Sequence, residues 1–427
     1  MLSQRSAAAG SVRTVERLVV VGASLAGLRA VEAARQAGFP GHITLIGAEP
    51  HLPYDRPPLS KAFLENPAEP APSFRDEREL RDELGVELLL GAPASGLDTA
   101  GRAVLVGERA VPYDAAVLAT GSIARRPALA EGLTGVHTLR TVDDALAIRA
   151  ALDAGARTVV IGAGFIGSEV ASSARARGRD VVLVEALPTP LVRAVGEQLG
   201  AVLATLHHRH GTDLRCGVAV AAVEGEGRVE RVLLSDGSVL PADLVVAGVG
   251  ARPAVDWLTG SGLTLDGGVV CDEHLWTGAD GVYAAGDLVR WHNPAFGVSM
   301  RLEHWTSAAE QARIAARNAI GPGEPAACST VPYFWSDWYG SRIQLAGIPA
   351  ADEVRVVDGD LDRDGRLVAL YRRGDRLAGA LTVNGKAQVM KYRGLIQREA
   401  SWEDGLAFAA DRRRAAANLV TADRTGV

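Results

Sequence analysis

Two stretches of the chain repeat one order of apolar and polar positions. In each, a short apolar run enters a glycine-rich turn, a stretch of helical period follows, and a second apolar run leads to a glutamate. The first is RLVVVGASLAG, LRAVEAARQAG and HITLIGAE, over residues 14 to 50. The second runs from RTVVIGAGFIG to DVVLVE, over residues 157 to 186. Both predict strand, turn, helix and strand, the repeating unit of a parallel sheet.

Between and after these units the pattern changes. HLPYDRPPLSKAFLENPAEPAPSF is dense in proline and predicts a loop with one short helical turn at LSKAFL. VELLLG, RAVLVG and AVPYDAAVLATG predict short strands, and DDALAIRAALDAG a helix. Beyond the second unit come a helix near 195 to 210 and the strands ERVLLSDG and ADLVVAGVG. GVYAAGDLVR returns to the character of the first unit, and SAAEQARIAARNAIG predicts a long amphipathic helix from about Thr306. From 331 onward PYFWSDWYGSRIQLAG, RLVALYRR and LAGALTVNG alternate as strands, and a last helix is expected near 403 to 417. The expected fold class is therefore α/β. A first dinucleotide domain covers 14–121 and 251–330, a second covers 122–250 and is inserted in it, and a small α+β domain covers 331–427. An insertion of this kind leaves the ends of the host close together.

The turns carry specific chemistry. In the first, Gly22, Ser24 and Gly27 occupy the three small positions, and Glu49 is expected to close the next strand; in the second, Gly162, Gly164 and Gly167 do so, with Glu185 closing its strand. The first glycine makes the tight turn, the second position lets a pyrophosphate approach the backbone, and the third lets the helix pack on the strand. The helix points its positive N-terminal end at the phosphates, and the acidic residue accepts from a ribose hydroxyl. Ser24 departs from glycine but is small, and its hydroxyl can donate to a phosphate oxygen.

Composition narrows the class. The 427 residues are 48% hydrophobic, ample for two or three cored domains, and the formal charge of −6 argues against nucleic-acid affinity. No apolar run reaches the ~18 residues of a membrane span. The start, MLSQRSAAAGSVRTVER, reads as a frayed leader without the apolar stretch of a secretion signal, so the cytoplasm is the expected location. Cys216, Cys271 and Cys328 are dispersed, with no pair spaced for a redox relay, and read as small buried side chains; no metal site is expected. Lysine is rare against arginine, at Lys61, Lys386 and Lys391 alone, which draws attention to Lys61 in the proline-rich loop.

The motifs PYDRPPLSK, Ala119-Thr120-Gly121, GAGFIGSE, YAAGD, RLEHWTSAAEQ and PYFWSD resemble those of the FAD-dependent, pyridine-nucleotide-dependent ferredoxin reductases of the glutathione-reductase-like fold. The resemblance implies FAD on the first turn and a nicotinamide nucleotide on the second. For FAD it implies Gly22, Ser24, Gly27, Glu49, Arg56, Lys61, Ala94, Thr120, Gly121, Asp287, Glu303, His304, Trp305 and Trp335. For NAD it implies Gly162, Gly164, Phe165, Ile166, Gly167, Glu185, Arg193 and Gly250; Arg193 equally suits the protein surface. Lys61 and Glu169 are implied as a catalytic pair, the ammonium reaching the flavin ring and the carboxylate holding it. Asp287 is expected at a helix N-terminus, accepting from a ribityl hydroxyl. Glu303, His304 and Trp305 should precede the long helix, with His304 structural and core packing the competing role for Trp305 and Trp335. Glu185, followed by Ala186 and Leu187 with no cation, favours NADH over NADPH.

The implied reaction is hydride transfer from NADH to FAD and then single electrons to a two-iron two-sulfur ferredoxin that feeds a monooxygenase or dioxygenase. Residues 285 to 427 carry 19 Arg/Lys and 17 Asp/Glu, leaving the negative balance on the rest of the chain. A basic docking face from Arg301, Arg313, Arg317 or Arg342 follows as an expectation. Two other readings stand beside this one: a redox-sensing interaction flavoprotein resembling apoptosis-inducing factor, and a rubredoxin reductase.

Overall fold

The structure is a computed structural model that describes residues 14–130, 132–321 and 323–425, with side chains up to residue 415. The expected leader lies outside the described residues apart from its last few positions. Two compact units form. The first runs to Asp55 and takes up Ala71–Ile123 and Ala251–Thr330; the second holds Arg56–Pro70, Ala124–Gly250 and the chain from Val331 on.

The first unit is built on five parallel strands in the order Val282–Ala284, Ala115–Leu118, Arg17–Val21, His42–Ile46 and Val86–Leu89. Leu18–Val21 and Ala115–Leu118 are buried throughout, as a sheet covered on both faces requires. The helix Leu25–Gln36 packs against the helix Trp305–Ile320. The buried face of the second helix is Ala308, Ala309, Ala312, Ala315, Ala316 and Ala319, and the first contributes Ala26, Ala30, Ala33 and Ala34. Small residues at helical spacing on both sides let the two backbones approach closely.

In the second unit another five-stranded parallel sheet runs Asp213–Cys216, Val181–Glu185, Thr158–Ile161, Leu244–Ala247 and Val136–His137. The same unit contains an antiparallel sheet in the order Tyr333–Trp338, Ser341–Gly347, Arg376–Val383, Leu367–Arg373 and Glu353–Asp358. The helix Lys386–Gln397 covers its central strands. The segment from Val331 is joined to the nucleotide-type sheet by shared packing. Tyr371 Oη donates to Val195 O at 2.8 Å, and the Phe165 and Phe334 rings lie 4.4 Å apart. The proline-rich stretch forms two short helical turns, Pro57–Ser60 and Ala62–Glu65, with Lys61 between them. Arg149 clamps it, stacking 4.1 Å over Phe63 and donating to Glu69 O, and Arg177 donates to Leu64 O.

The hairpin Trp338–Ser341 turns on Tyr339 and Gly340, both in left-handed backbone conformations. Tyr339 Oη bridges Thr212 and His207 Nδ1, each at 2.8 Å, and the His207 ring packs against Trp338. His207 is fully buried on the helix Glu197–Arg209, and burial, aided by the charges of His208 and His210, pulls its pKa down to about 3. The folded protein thus keeps this ring neutral while the unfolded chain protonates it below pH ~6.5. Its share of stability is present above that pH and is lost as pH falls toward 3. Between pH 7 and pH 5 His207 alone should remove about 2 kcal/mol. His207→Gln should flatten that part of the pH profile in thermal melts, and an unchanged slope would refute the assignment.

Candidate functional site

In the first unit the turn after Arg17–Val21 sits at the carboxyl edge of the sheet, where the strand order reverses between Arg17–Val21 and Ala115–Leu118. Gly22 has φ +121°, and a Cβ there would stand 2.1 Å from Ala119 O; a Cβ on Gly27 would stand 1.8 Å from Gly22 O. Only hydrogen side chains fit either place. Ser24 is the N-cap residue of Leu25–Gln36, and its side chain makes no capping hydrogen bond. The strand expected to end at Glu49 stops at Ile46. Gly47 N–H donates to Leu89 O, and the chain then turns away, so Glu49 lies three residues beyond the strand. Its carboxylate accepts from Tyr54 Oη at 2.5 Å.

Around that edge stand the other first-unit residues. Thr120 Oγ1 donates to Ala254 O at 2.8 Å, and Gly121 takes φ +70°. Ala94 lies half-buried against the core, between the strands Val86–Leu89 and Gly96–Asp98. Asp287 Oδ2 accepts from Ser122 Oγ at 2.8 Å. No helix directly follows Asp287 in the chain, although its charge acts on His304, the N-cap residue of the helix Trp305–Ile320. The chain continues into a hairpin, Val289–Asn293 with Val298–Met300, whose buried Val289, Trp291 and Asn293 alternate with outward residues. The long helix touches this place through Gln311, whose Oε1 accepts from Gly286 N–H at 2.9 Å. Trp305 is the first residue of that helix, and its indole donates to Asp55 at 2.8 Å. Glu303 pairs with Arg301 at 2.7 Å. His304 is the helix's N-cap residue; burial brings its pKa down to about 4 against the opposing charge of Asp287, so the ring is neutral at pH 7.

In the second unit the geometry of the first turn recurs. Gly162 has φ +94°, with Gly248 O 2.6 Å from a Cβ there, and a Cβ on Gly167 would stand 1.9 Å from Gly162 O. At Gly164 the nearest atom to a Cβ is 3.9 Å away, so this small position faces open space. Glu185 ends the strand Val181–Glu185, and its two oxygens accept from Ala163 N–H at 2.7 Å and Leu187 N–H at 2.9 Å. That holds a carboxylate beside the turn. Phe165 is half-buried and Ile166 exposed in the first helical turn; Gly250 is exposed with φ +96°, and Arg193 is exposed on Val192–Val195.

The same unit joins Lys61 to Glu169. The ammonium lies 2.7 Å from Glu169 Oε2 and also donates to Pro57 O at 3.1 Å. Glu169 is buried on the helix Phe165–Ala176 and accepts from two hydroxyls as well, Ser60 Oγ on Oε2 and Ser336 Oγ on Oε1. Ser336 Oγ in turn accepts from the Trp338 indole at 2.8 Å. Neither serine nor Trp338 was among the expected site residues; the serines, inside PYDRPPLSK and PYFWSD, stand 109 and 167 residues from Glu169. Arg56 donates to Arg140 O. Trp335 is half-buried on Tyr333–Trp338 with the Arg342 guanidinium 5.5 Å over its ring.

Of the four arginines expected to dock a partner, Arg301 and Arg342 face carboxylates of their own units, Glu303 and Asp337. Arg313 and Arg317 are exposed one turn apart on Trp305–Ile320. The three cysteines are free. Burial raises the Cys216 thiol to about 11 and the Cys328 thiol to about 12, and pushes Cys271 upward too, so all three stay protonated at neutral pH. No helix among the described residues is long and apolar enough to cross a membrane.

The pyridine nucleotide-disulphide oxidoreductase family matches residues 16–312, and the reductase C-terminal family matches 333–416. Rhodocoxin reductase of Rhodococcus erythropolis is 36% identical over 392 residues, covering 90% of each chain. The ferredoxin–NAD(+) reductase component of the p-cumate 2,3-dioxygenase system of Pseudomonas putida is 34% identical, covering 91% of this chain and 94% of its own. The crystal structure of a covalent putidaredoxin reductase–putidaredoxin complex aligns with TM-score 0.86 at 32% identity, over 91% of this chain and 94% of that one.

The glycine contacts separate two kinds of position. Gly164→Ala should melt like the parent, because its Cβ meets no atom closer than 3.9 Å, yet should weaken nicotinamide-nucleotide binding about tenfold by calorimetry. Gly167→Ala should lower the melting temperature by an amount matching ~1–3 kcal/mol of overpacking. Equal effects of the two would contradict this division.

Proposed function

The chain belongs to the pyridine nucleotide-disulphide oxidoreductases, and from that membership we propose that it is an FAD-containing NADH:ferredoxin oxidoreductase working in the cytoplasm. One observation carries the reading. Two dinucleotide turns share a chain whose three cysteines are unpaired and held protonated by burial. Electrons brought by one dinucleotide to the other have no thiol relay to follow, which suits an acceptor outside the chain, the ferredoxin of the relatives' names.

FAD, when bound, accepts two electrons as a hydride and releases them singly, which a two-iron two-sulfur ferredoxin requires. The residues of the first turn, with Glu49 and Asp287, would hold FAD, and the space in front of Gly164 admits the pyrophosphate of NADH. Lys61 would place an ammonium beside the flavin ring, favouring the negative charge gained on reduction. Glu185 would accept from the adenosine 2′-hydroxyl and repel a 2′-phosphate, and Ala186 and Leu187 supply no cation to offset that repulsion. Arg313 and Arg317 would attract an acidic ferredoxin.

The test is to purify the yellow holoprotein, mix it with NADH without oxygen, and add a two-iron two-sulfur ferredoxin coupled to cytochrome c. Fast bleaching of the flavin and ferredoxin-dependent cytochrome reduction are expected; slow bleaching, or cytochrome reduction indifferent to ferredoxin, would sink the proposal. Glu185→Ser should cut kcat/KM for NADH about tenfold or more, the worth of a hydrogen bond to a charged group. Adding Ala186→Arg should raise kcat/KM for NADPH relative to the single variant. An unchanged ratio of the two nucleotides would show that Glu185 does not read the ribose.

A further inference from the structure

The Lys61–Glu169 pair is accompanied by a structure that the reaction itself does not demand. A buried carboxylate is stable only when its lone pairs are met by donors. Here the donors come from two separate segments of the second unit: Lys61 and Ser60 from the proline-rich stretch, and Ser336 from the antiparallel sheet. Ser336 and Glu169 are essentially inaccessible to solvent, at 0% and 3%. The Ser336 hydroxyl has one proton, and it is committed. The Trp338 indole N–H can only donate, so Ser336 Oγ receives it and directs its own proton to Glu169 Oε1. Trp338 is fixed in turn, being wholly buried with His207 packed on its ring. Ser60 is anchored as well, since Ser173 Oγ donates to its carbonyl at 2.8 Å.

We infer that Ser336 is a positioning residue for Lys61: oriented by Trp338, it holds one oxygen of Glu169 and leaves the other to the ammonium. The inference rests on the reading above in one respect, that Lys61 lies beside the flavin. Its physical consequence has a sign. The Ser336 O–H turns its positive end toward the carboxylate, compensating part of the negative charge there. Without it, Glu169 opposes Lys61 more strongly, and the negative charge gained by FAD on reduction is less favoured.

The experiment is an equilibrium redox titration of the holoprotein and of Ser336→Ala, Trp338→Phe and Lys61→Met, with the flavin spectrum and thermal melt recorded for each. Ser336→Ala should lower the equilibrium constant for two-electron reduction about tenfold, equivalent to ~30 mV, with KM for NADH unchanged and kcat reduced. Trp338→Phe, which keeps the hydroxyl but frees its direction, should move the potential the same way by less, and it carries the test if Ser336→Ala loses its flavin. Lys61→Met should give the largest fall. Potentials of Ser336→Ala and Trp338→Phe equal to the parent, beside a shifted Lys61→Met, would overturn the inference and leave the reading intact. An unshifted Lys61→Met would remove the reading that Lys61 lies at the flavin, and the inference with it.

Discussion

Backbone pressed against backbone is the constraint on which both nucleotide turns depend. At Gly27 and Gly167 the space a Cβ would need is taken by the carbonyl oxygen of the turn's first glycine, at 1.8 and 1.9 Å. That approach sets the helix N-terminus at the carboxyl edge of the sheet, so that its unsatisfied N–H groups and positive end face the crevice. A single added methyl would push the helix off the strand and move those donors with it. The same demand for closeness continues into the first unit's helix pair. Its interface is alanine on both sides, and Gly286 sits within reach of both Ala26 and Ala308, 3.3 and 3.6 Å from where its Cβ would be.

What was legible in the sequence is what such local constraints write into it. The apolar runs, the glycine spacing and the helical periods gave both parallel sheets and the class of the fold, because each is a pattern within about thirty residues. The start of the long helix was found to within one residue, since an alanine stripe with outward arginines has one reading. Glu185 closes its strand as its spacing implied, whereas Glu49 does not. The difference is tertiary: Gly47 passes close to Ala23, whose Cβ is 2.6 Å from where its own would be, and the strand pairing ends at Ile46.

Two further misses have similar causes. After Asp287 the residues Val289, Trp291 and Asn293 alternate with Arg290 and His292, a strand signal that was present where a short loop before the long helix was expected. The buried Asn293 obscured it further; its side chain donates to Thr330 O, a partner 37 residues away that no local pattern displays. Ser60 and Ser336 lie inside the motifs PYDRPPLSK and PYFWSD, but nothing in those motifs, or around Trp338, shows what the side chains touch. A serine at a buried position looks the same in sequence whether its hydroxyl serves a carboxylate or its own backbone.

The Glu169 junction shows why such residues matter more than their silence in the sequence suggests. Removing a carboxylate from water costs several kcal/mol, and each donor returns part of it only if it arrives in the right place. Because those donors lie on two segments and the carboxylate on a third, the network closes only when the proline-rich stretch, the helix Phe165–Ala176 and the strand Tyr333–Trp338 are all docked. Docking is secured elsewhere, by Arg149 and Arg177 on the stretch and by Phe165 on Phe334. The lysine is thereby held by packing it does not itself provide, and its ammonium is placed before any cofactor or substrate arrives. An ammonium placed in advance does not have to be reoriented during reaction, which is what makes fixed charge effective where charge develops. On this view the antiparallel sheet supplies Ser336 to the Glu169 junction, and the buried carboxylate is the element through which that sheet acts on Lys61.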